Sequence, residues 1–206
     1  MRLAPRWEDP VLRDETASIW QRTRSLRIDG LLVDEDARAL RDALRGLPHE
    51  LRGGGNSPSF AFQYGSLGNI PEPDCDHMLC QFGRWWWSIG LAFVNDITGM
   101  SLHPPEDRMV VSTLFQRGSF IDPHNDYDRV RRCAFILGLT EATWPASEGG
   151  HLEFLEMDGS EVRVCERRAP GWNTLDLFDV TGTDRVHQVP ILTRDVERRA
   201  FSGWFY

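Results

Sequence analysis

Residues 108–116 read RMVVSTLFQ, and at this stretch the hydrophobic pattern of the chain changes period. Upstream, apolar residues recur every three or four positions; from Arg108 onward they fall in short runs rich in Val, Phe, Leu and Thr. Those runs are RRCAFILGLT (131–140), HLEFLE (151–156), EVRVCE (161–166), NTLDLFD (173–179), DRVHQVP (184–190) and ERRAFSGWFY (197–206). Gly, Pro, Asp and Ser punctuate them, as they do between strands. With no helical run in between, they predict an antiparallel sandwich or barrel and not a parallel α/β sheet. The expected class is α+β, mainly β. A jelly roll occupies residues 106–206, helices and short strands in residues 1–105 buttress it, and residues 1–206 form one domain.

The buttress is read from periodicity. SLRIDG (25–30) predicts a short strand, and the helix after it starts at Asp34, whose carboxylate suits an N-cap. Ala37, Leu40, Ala43 and Leu44 follow at helical spacing, with Pro48 just past the end. RGGGNSPS (52–59) predicts a turn, and FAFQYGSLGNIPEP (60–73) a strand with a Gly/Pro-rich exit. A longer helix over about Asp76 to Ile97 puts Met78, Phe82, Trp85, Trp86, Ile89, Phe93 and Ile97 on one face. Trp87, Leu91 and Val94 widen it. Packing against the sheet is the plain reading of that face; a homodimer contact or a substrate lid is the sharper one.

The net charge of −8 argues against non-specific binding of nucleic acid, which needs a basic surface. No apolar stretch reaches the roughly 20 residues of a membrane span. MRLAPRWEDPVLRDE (1–15) lacks the apolar core of a signal peptide, so a cytoplasmic protein without a membrane partner is expected. Cys75, Cys80, Cys133 and Cys165 show no CxxC spacing and are read as free thiols.

SFIDPHNDYDRV (119–130) places His124 and Asp126 two apart, so on a strand both side chains leave one face. His187, in DRVHQVP, is a third candidate. Two imidazoles and one carboxylate suit iron(II), with the opposite positions left open. A remote strand can supply the third ligand only if the sheet curls. HxD alone is also a common surface pair or turn. His151 reads as a surface or core residue, and His49, His77 and His103 as solvated. Asp122 and Asp128 read as neighbours outside the site. The run Arg129, Arg131 and Arg132 reads as a solvated patch, or as the source of a guanidinium, from Arg129 or Arg131, that holds a substrate carboxylate.

The order of four motifs is more specific: FIDPHNDYD (120–128), EGGHLEF (148–154), LDLFDVTGTDRVHQV (175–189) and RRAFSGWF (198–205). It resembles the iron(II)/2-oxoglutarate dioxygenases, in their prolyl-4-hydroxylase-like branch. IDGLLVDEDARALRDAL (28–44) and NDITGMSL (95–102) look like the helical preamble of that branch, so the likeness spans about residues 27–206. The resemblance implies a double-stranded β-helix, the cupin-like form of the jelly roll. It implies His124, Asp126 and His187 as catalytic Fe(II) ligands, 2-oxoglutarate and O2 as cosubstrates, and ascorbate as reductant. It also implies a basic residue early in the last strand that grips the distal carboxylate of 2-oxoglutarate. The arginine six residues before the tryptophan of SGWF is Arg198; Arg199 faces the other side of the pleat. A guanidinium grips such a carboxylate through two parallel hydrogen bonds.

Two departures stand out. The family's serine two residues after the arginine is Ala200 here, and its tyrosine from a neighbouring strand is replaced by Leu137, Gly138 and Leu139. Thr113 and Ser202 are therefore the further candidates for cosubstrate contact. Asp126 fills the position that related halogenases leave to a halide, which excludes halogenation. The implied reaction oxidises an unactivated C–H bond, by hydroxylation or otherwise, as 2-oxoglutarate and O2 become succinate and CO2. A small molecule such as an amino acid or natural-product intermediate is the expected substrate; a protein residue such as proline is the alternative. A 2-oxoglutarate-independent cupin-type metalloenzyme and a non-catalytic jelly-roll scaffold are the readings from other classes.

Overall fold

In the computed structural model, which describes residues 1–54, 60–158 and 161–206, each strand-like run downstream of Arg108 forms a strand. These are β4 (Val110–Phe115), β5 (Phe120–His124), β6 (Cys133–Leu139), β7 (Leu152–Asp158), β8 (Glu161–Arg168), β9 (Trp172–Asp179), β10 (Val186–Val189) and β11 (Arg198–Phe205). The N-terminal half adds β1 (Ser25–Asp29), β2 (Glu50–Gly54) and β3 (Phe62–Asn69), more strand than periodicity predicts. The turn expected at RGGGNSPS lies, from residue 55 on, outside the described residues.

All eleven strands belong to one antiparallel sheet, in the order β1-β9-β6-β11-β4-β3-β5-β10-β7-β8, with β2 beside β3. The sheet curls because β3 serves both layers: Gly65–Asn69 pair with β4, and Phe62 and Gln63 pair with β5. The far ends then meet, with the Phe154 ring of β7 lying 5.2 Å from that of Phe178 of β9. This is the expected mainly β jelly roll, and its concave side is the cavity in which the candidate site lies.

Helices cover the convex side. They are α1 (Pro10–Thr23), α2 (Asp34–Leu44), and a rod built of α3 (Met78–Trp85), a π-helical turn (Trp86–Gly90) and α4 (Leu91–Thr98). The Phe82 ring lies tilted 4.2 Å from that of Phe201, and Trp86 lies 4.8 Å from Phe135. The pleat of β11 divides its residues: Phe201 and Phe205 join this core, while Arg198, Ser202 and Trp204 face the cavity. The aromatic face of the rod is thus taken up by the sheet, which is the plain reading. No helix among the described residues is long and apolar enough to cross a membrane.

Four local expectations are corrected. Ile89, placed on the buried face by helical spacing, is 52% exposed, because the π turn inserts a residue and rotates it outward. Asp34 is the first helical residue and not the N-cap; Val33 holds that place. The Asp34 carboxylate instead pairs with Arg38 at 2.7 Å and accepts from Trp172 Nε1 at 2.8 Å. Cys75 and Cys80 are paired as a disulfide, while Cys133 and Cys165 are free. The start of α3 brings the two Cα atoms to 5.9 Å, within disulfide reach, a local geometry that spacing rules do not see. His49 is half-buried, with Nε2 3.0 Å from Ser112 Oγ, and His77 caps α3 by accepting from Leu79 N, so neither is simply solvated.

The π turn makes a testable distinction. Trp86 is fully buried, so Trp86→Ala is expected to cost about 3–5 kcal/mol of unfolding free energy, against roughly 0.5 kcal/mol or less for Ile89→Ala. Denaturant unfolding measures both. Similar large losses would mean that the rod is an unbroken α-helix.

Candidate metal centre

His124 ends β5, and its direct cross-strand partner in β10 is His187. Direct partners share a face, so both imidazoles enter the cavity, with ring centroids 4.3 Å apart. Asp126 follows two residues after the end of β5. Asn125 holds its loop: the side-chain oxygen accepts from Tyr127 N at 3.2 Å, and Nδ2 donates to Thr183 O at 3.3 Å. Asp126 Oδ1 lies 3.6 Å from His124 Nε2, and Oδ2 lies 3.4 Å from His187 Nε2. One ligand atom from each of the three residues falls within 4.8 Å of the others.

The tautomers fit a metal. His124 Nδ1 is 2.9 Å from the Asp122 carbonyl, and His187 Nδ1 is 3.4 Å from the Arg185 carbonyl. A carbonyl only accepts, so each Nδ1 donates to it and each Nε2 is turned toward the shared centre. Burial by itself would raise the Asp126 pKa, but the two imidazoles hold it far below the ordinary carboxylate range. The donor set is two ring nitrogens and one carboxylate oxygen on one side of a cavity, a mixture that suits Fe(II). Phe60 stacks on His124 at 4.4 Å and walls the site on that flank.

The cavity measures about 330 Å³. Arg198, Thr113 and Ser202 line it along with the triad, and so does Arg131. Arg198 is buried against the Phe115 ring at 4.7 Å, and burial pushes its pKa down to about 10, with Asp176 offsetting part of that effect. Arg199 points the other way, bonded to Glu197 at 2.7 Å and to the Leu44 carbonyl at 3.1 Å. Arg131 lies 3.7 Å over the Trp204 ring, whereas Arg129 is exposed and is not part of the cavity wall. His151 is buried, its Nδ1 3.1 Å from Gly149 O, and stands apart from the triad.

Tyr64 is the wall residue that sequence reasoning missed. It stacks on Phe115 at 5.1 Å, and burial, then the nearby Asp126 charge, raises its pKa. The alternation Phe60, Phe62, Tyr64 is the signal that could have found it, since all three line the cavity.

Residues 110–206, which carry the triad and Arg198, match the 2OG-Fe(II) oxygenase superfamily. The chain thus resembles that superfamily over just under half of its length. Among curated relatives, it is 30% identical over 118 residues to the mouse prolyl 3-hydroxylase OGFOD1, a match covering 56% of this chain and 21% of the relative. The Xenopus laevis protein of the same name is 37% identical over 86 residues, covering 40% and 16%. The match thus spans about a fifth of the length of these relatives or less. In fold, a Pseudomonas putida prolyl-4-hydroxylase superposes with a TM-score of 0.62 at 20% identity, covering 94% of this chain and 97% of its own. The epimerase SnoN of nogalamycin biosynthesis superposes at 0.64 with 13% identity, covering 96% and 84%.

Removing a ligand should abolish metal binding while sparing the fold. Asp126→Ala and His187→Ala are each expected to weaken Fe(II) by more than about 100-fold, since even outer-sphere partners are worth 10–100-fold. Anaerobic titration reads the affinity and circular dichroism reads the fold. Retained tight binding in either variant contradicts the triad.

Proposed function

We propose that residues 1–206 act as one oxygenase unit that hydroxylates an unactivated C–H bond of a small carboxylate-bearing molecule, such as an amino acid. Support for one unit is the shared core, in which Trp20, Leu40 and Trp86 pack with Phe135, Leu177 and Phe201. His124, Asp126 and His187 hold Fe(II), and the bound metal with its cosubstrate supplies the oxidising chemistry.

Arg198 anchors the distal carboxylate of 2-oxoglutarate. It is a buried cation with no acidic partner within ion-pair reach among the described residues, and a dicarboxylate supplies the missing anion. Thr113, Ser202 and Tyr64 offer hydroxyls from the same wall.

One observation carries the substrate reading: Arg131 lines the same cavity, 3.7 Å over the Trp204 ring, and has no ion pair among the described residues. A guanidinium so placed matches a carboxylate bidentately, and the cavity volume lies in the range of small-molecule sites. A second reading, oxidation of a proline in a protein, is favoured by the names of the curated relatives. There Arg131 would meet a backbone carbonyl.

A succinate-release screen over free amino acids and proline-containing peptides, with mass analysis for one added oxygen, separates the two. A free amino acid is the expected substrate, and turnover of peptides alone selects the second reading. Arg198→Ala should weaken 2-oxoglutarate by about 30-fold or more, as loss of one partner of a buried charged contact does, while Arg199→Ala has little effect. Equal losses in a calorimetric titration would mean that the wrong arginine has been chosen.

A further inference from the structure

Behind Arg198 lies a second, much smaller cavity of about 10 Å³, lined by Arg198, Thr174, Asp176, Gly138 and Gly171. That is room for one water and no more. Two of the buried side-chain atoms that lack a hydrogen-bond partner among the described residues belong to this wall: Arg198 Nη1 and Thr174 Oγ1. Arg198 is 7% exposed and Thr174 6%. Leaving such groups unpaired costs more than a hydrogen bond gains, so two of them around one void call for a common partner.

Register explains the void. Thr174 of β9 pairs with Gly138 of β6, which pairs in turn with Ala200 of β11. A Cβ on Gly138 would come 2.8 Å from Thr174 Oγ1 and 2.7 Å from the Gly171 carbonyl. Glycine in the strand between β9 and β11 thus leaves the space that a side chain would fill.

The third polar wall residue is Asp176. Its Oδ1 accepts from Arg27 Nε at 2.9 Å and Arg168 Nη1 at 3.2 Å, and its Oδ2 accepts from Arg27 Nη2 at 2.7 Å. A carboxylate has about four lone-pair positions, so Oδ2 keeps one.

We propose that this cavity is a structural water site, in which one water accepts from Arg198 Nη1 and donates to Thr174 Oγ1 and the Asp176 carboxylate. Thr174 is then a positioning residue: through the water it fixes the guanidinium that faces the main cavity and couples it to an anion it does not touch. The inference rests on Arg198 as the cosubstrate anchor. It adds a reason why a buried arginine without a direct ion pair keeps one geometry before its ligand arrives.

The test combines crystallography and calorimetry on the full chain loaded with Mn(II) and 2-oxoglutarate. The wild type should show one ordered peak within about 2.7–3.2 Å of both Arg198 Nη1 and Thr174 Oγ1. Thr174→Val should lose the peak and weaken 2-oxoglutarate about tenfold, while Thr174→Ser, which restores the hydroxyl, keeps both. An empty cavity in the wild type, or Thr174→Val binding as tightly as wild type, overturns the water bridge. Arg198→Ala in the same titration separates the two levels. If it loses affinity while Thr174→Val does not, only the bridge fails; if it too binds normally, the anchor reading fails.

Discussion

The site depends on one register: His124 of β5 opposite His187 of β10. A slip of one residue between these strands would turn one imidazole out of the cavity, because side chains alternate faces along a strand. The exit of β10 is fixed by a close backbone approach that only glycine permits. Gly149 sits at φ +74, and a Cβ there would collide with the Ile191 carbonyl oxygen. Thr193 N bonds Glu148 O at 2.8 Å and Gly150 N bonds Pro190 O at 2.9 Å, clamping the exit of β10 to the entry of β7. The EGGHLEF motif thus has a structural meaning, and His151 within it is buried with Nδ1 3.1 Å from the Gly149 carbonyl, apart from the triad.

Charge is arranged around this register with little redundancy. The chain is acidic overall, with a net charge of −8, yet two of the residues facing the cavity are arginines. Arg198 lies deep and rests on Phe115; Arg131 rests on Trp204, in the same strand as Arg198. Each guanidinium is held by an aromatic ring in place of an acid, which orients the cation without neutralising it. Asp126 sits between the two imidazoles, which favour its ionised form. Two guanidinium groups thus face the cavity, while the carboxylate of the triad lies between the two imidazoles.

Much of this was legible in the sequence because it rests on short-range patterns. The alternation of β11 separates Arg198 from Arg199, and the two-residue spacing in HND sets His124 beside Asp126. What was not legible rests on long-range pairing. Tyr64 reaches the cavity only because β3 bridges two layers, and Thr174 faces Arg198 only across Gly138. Ile89 was misplaced because a π turn leaves no mark in a hydrophobic period. Helix α1 went unseen because its buried residues are Thr16 and Trp20 alone, too few to make a stripe. The disulfide was missed because the cysteine expectation came from compartment and spacing, and the fold of a single turn decided it.

The most direct measurement is a crystal structure of the Mn(II)-loaded protein with anomalous data. The account predicts a single strong anomalous peak at roughly 2.0–2.2 Å from His124 Nε2, His187 Nε2 and one Asp126 carboxylate oxygen. A peak bound elsewhere, or one that leaves any of these three atoms out of the coordination sphere, would contradict it.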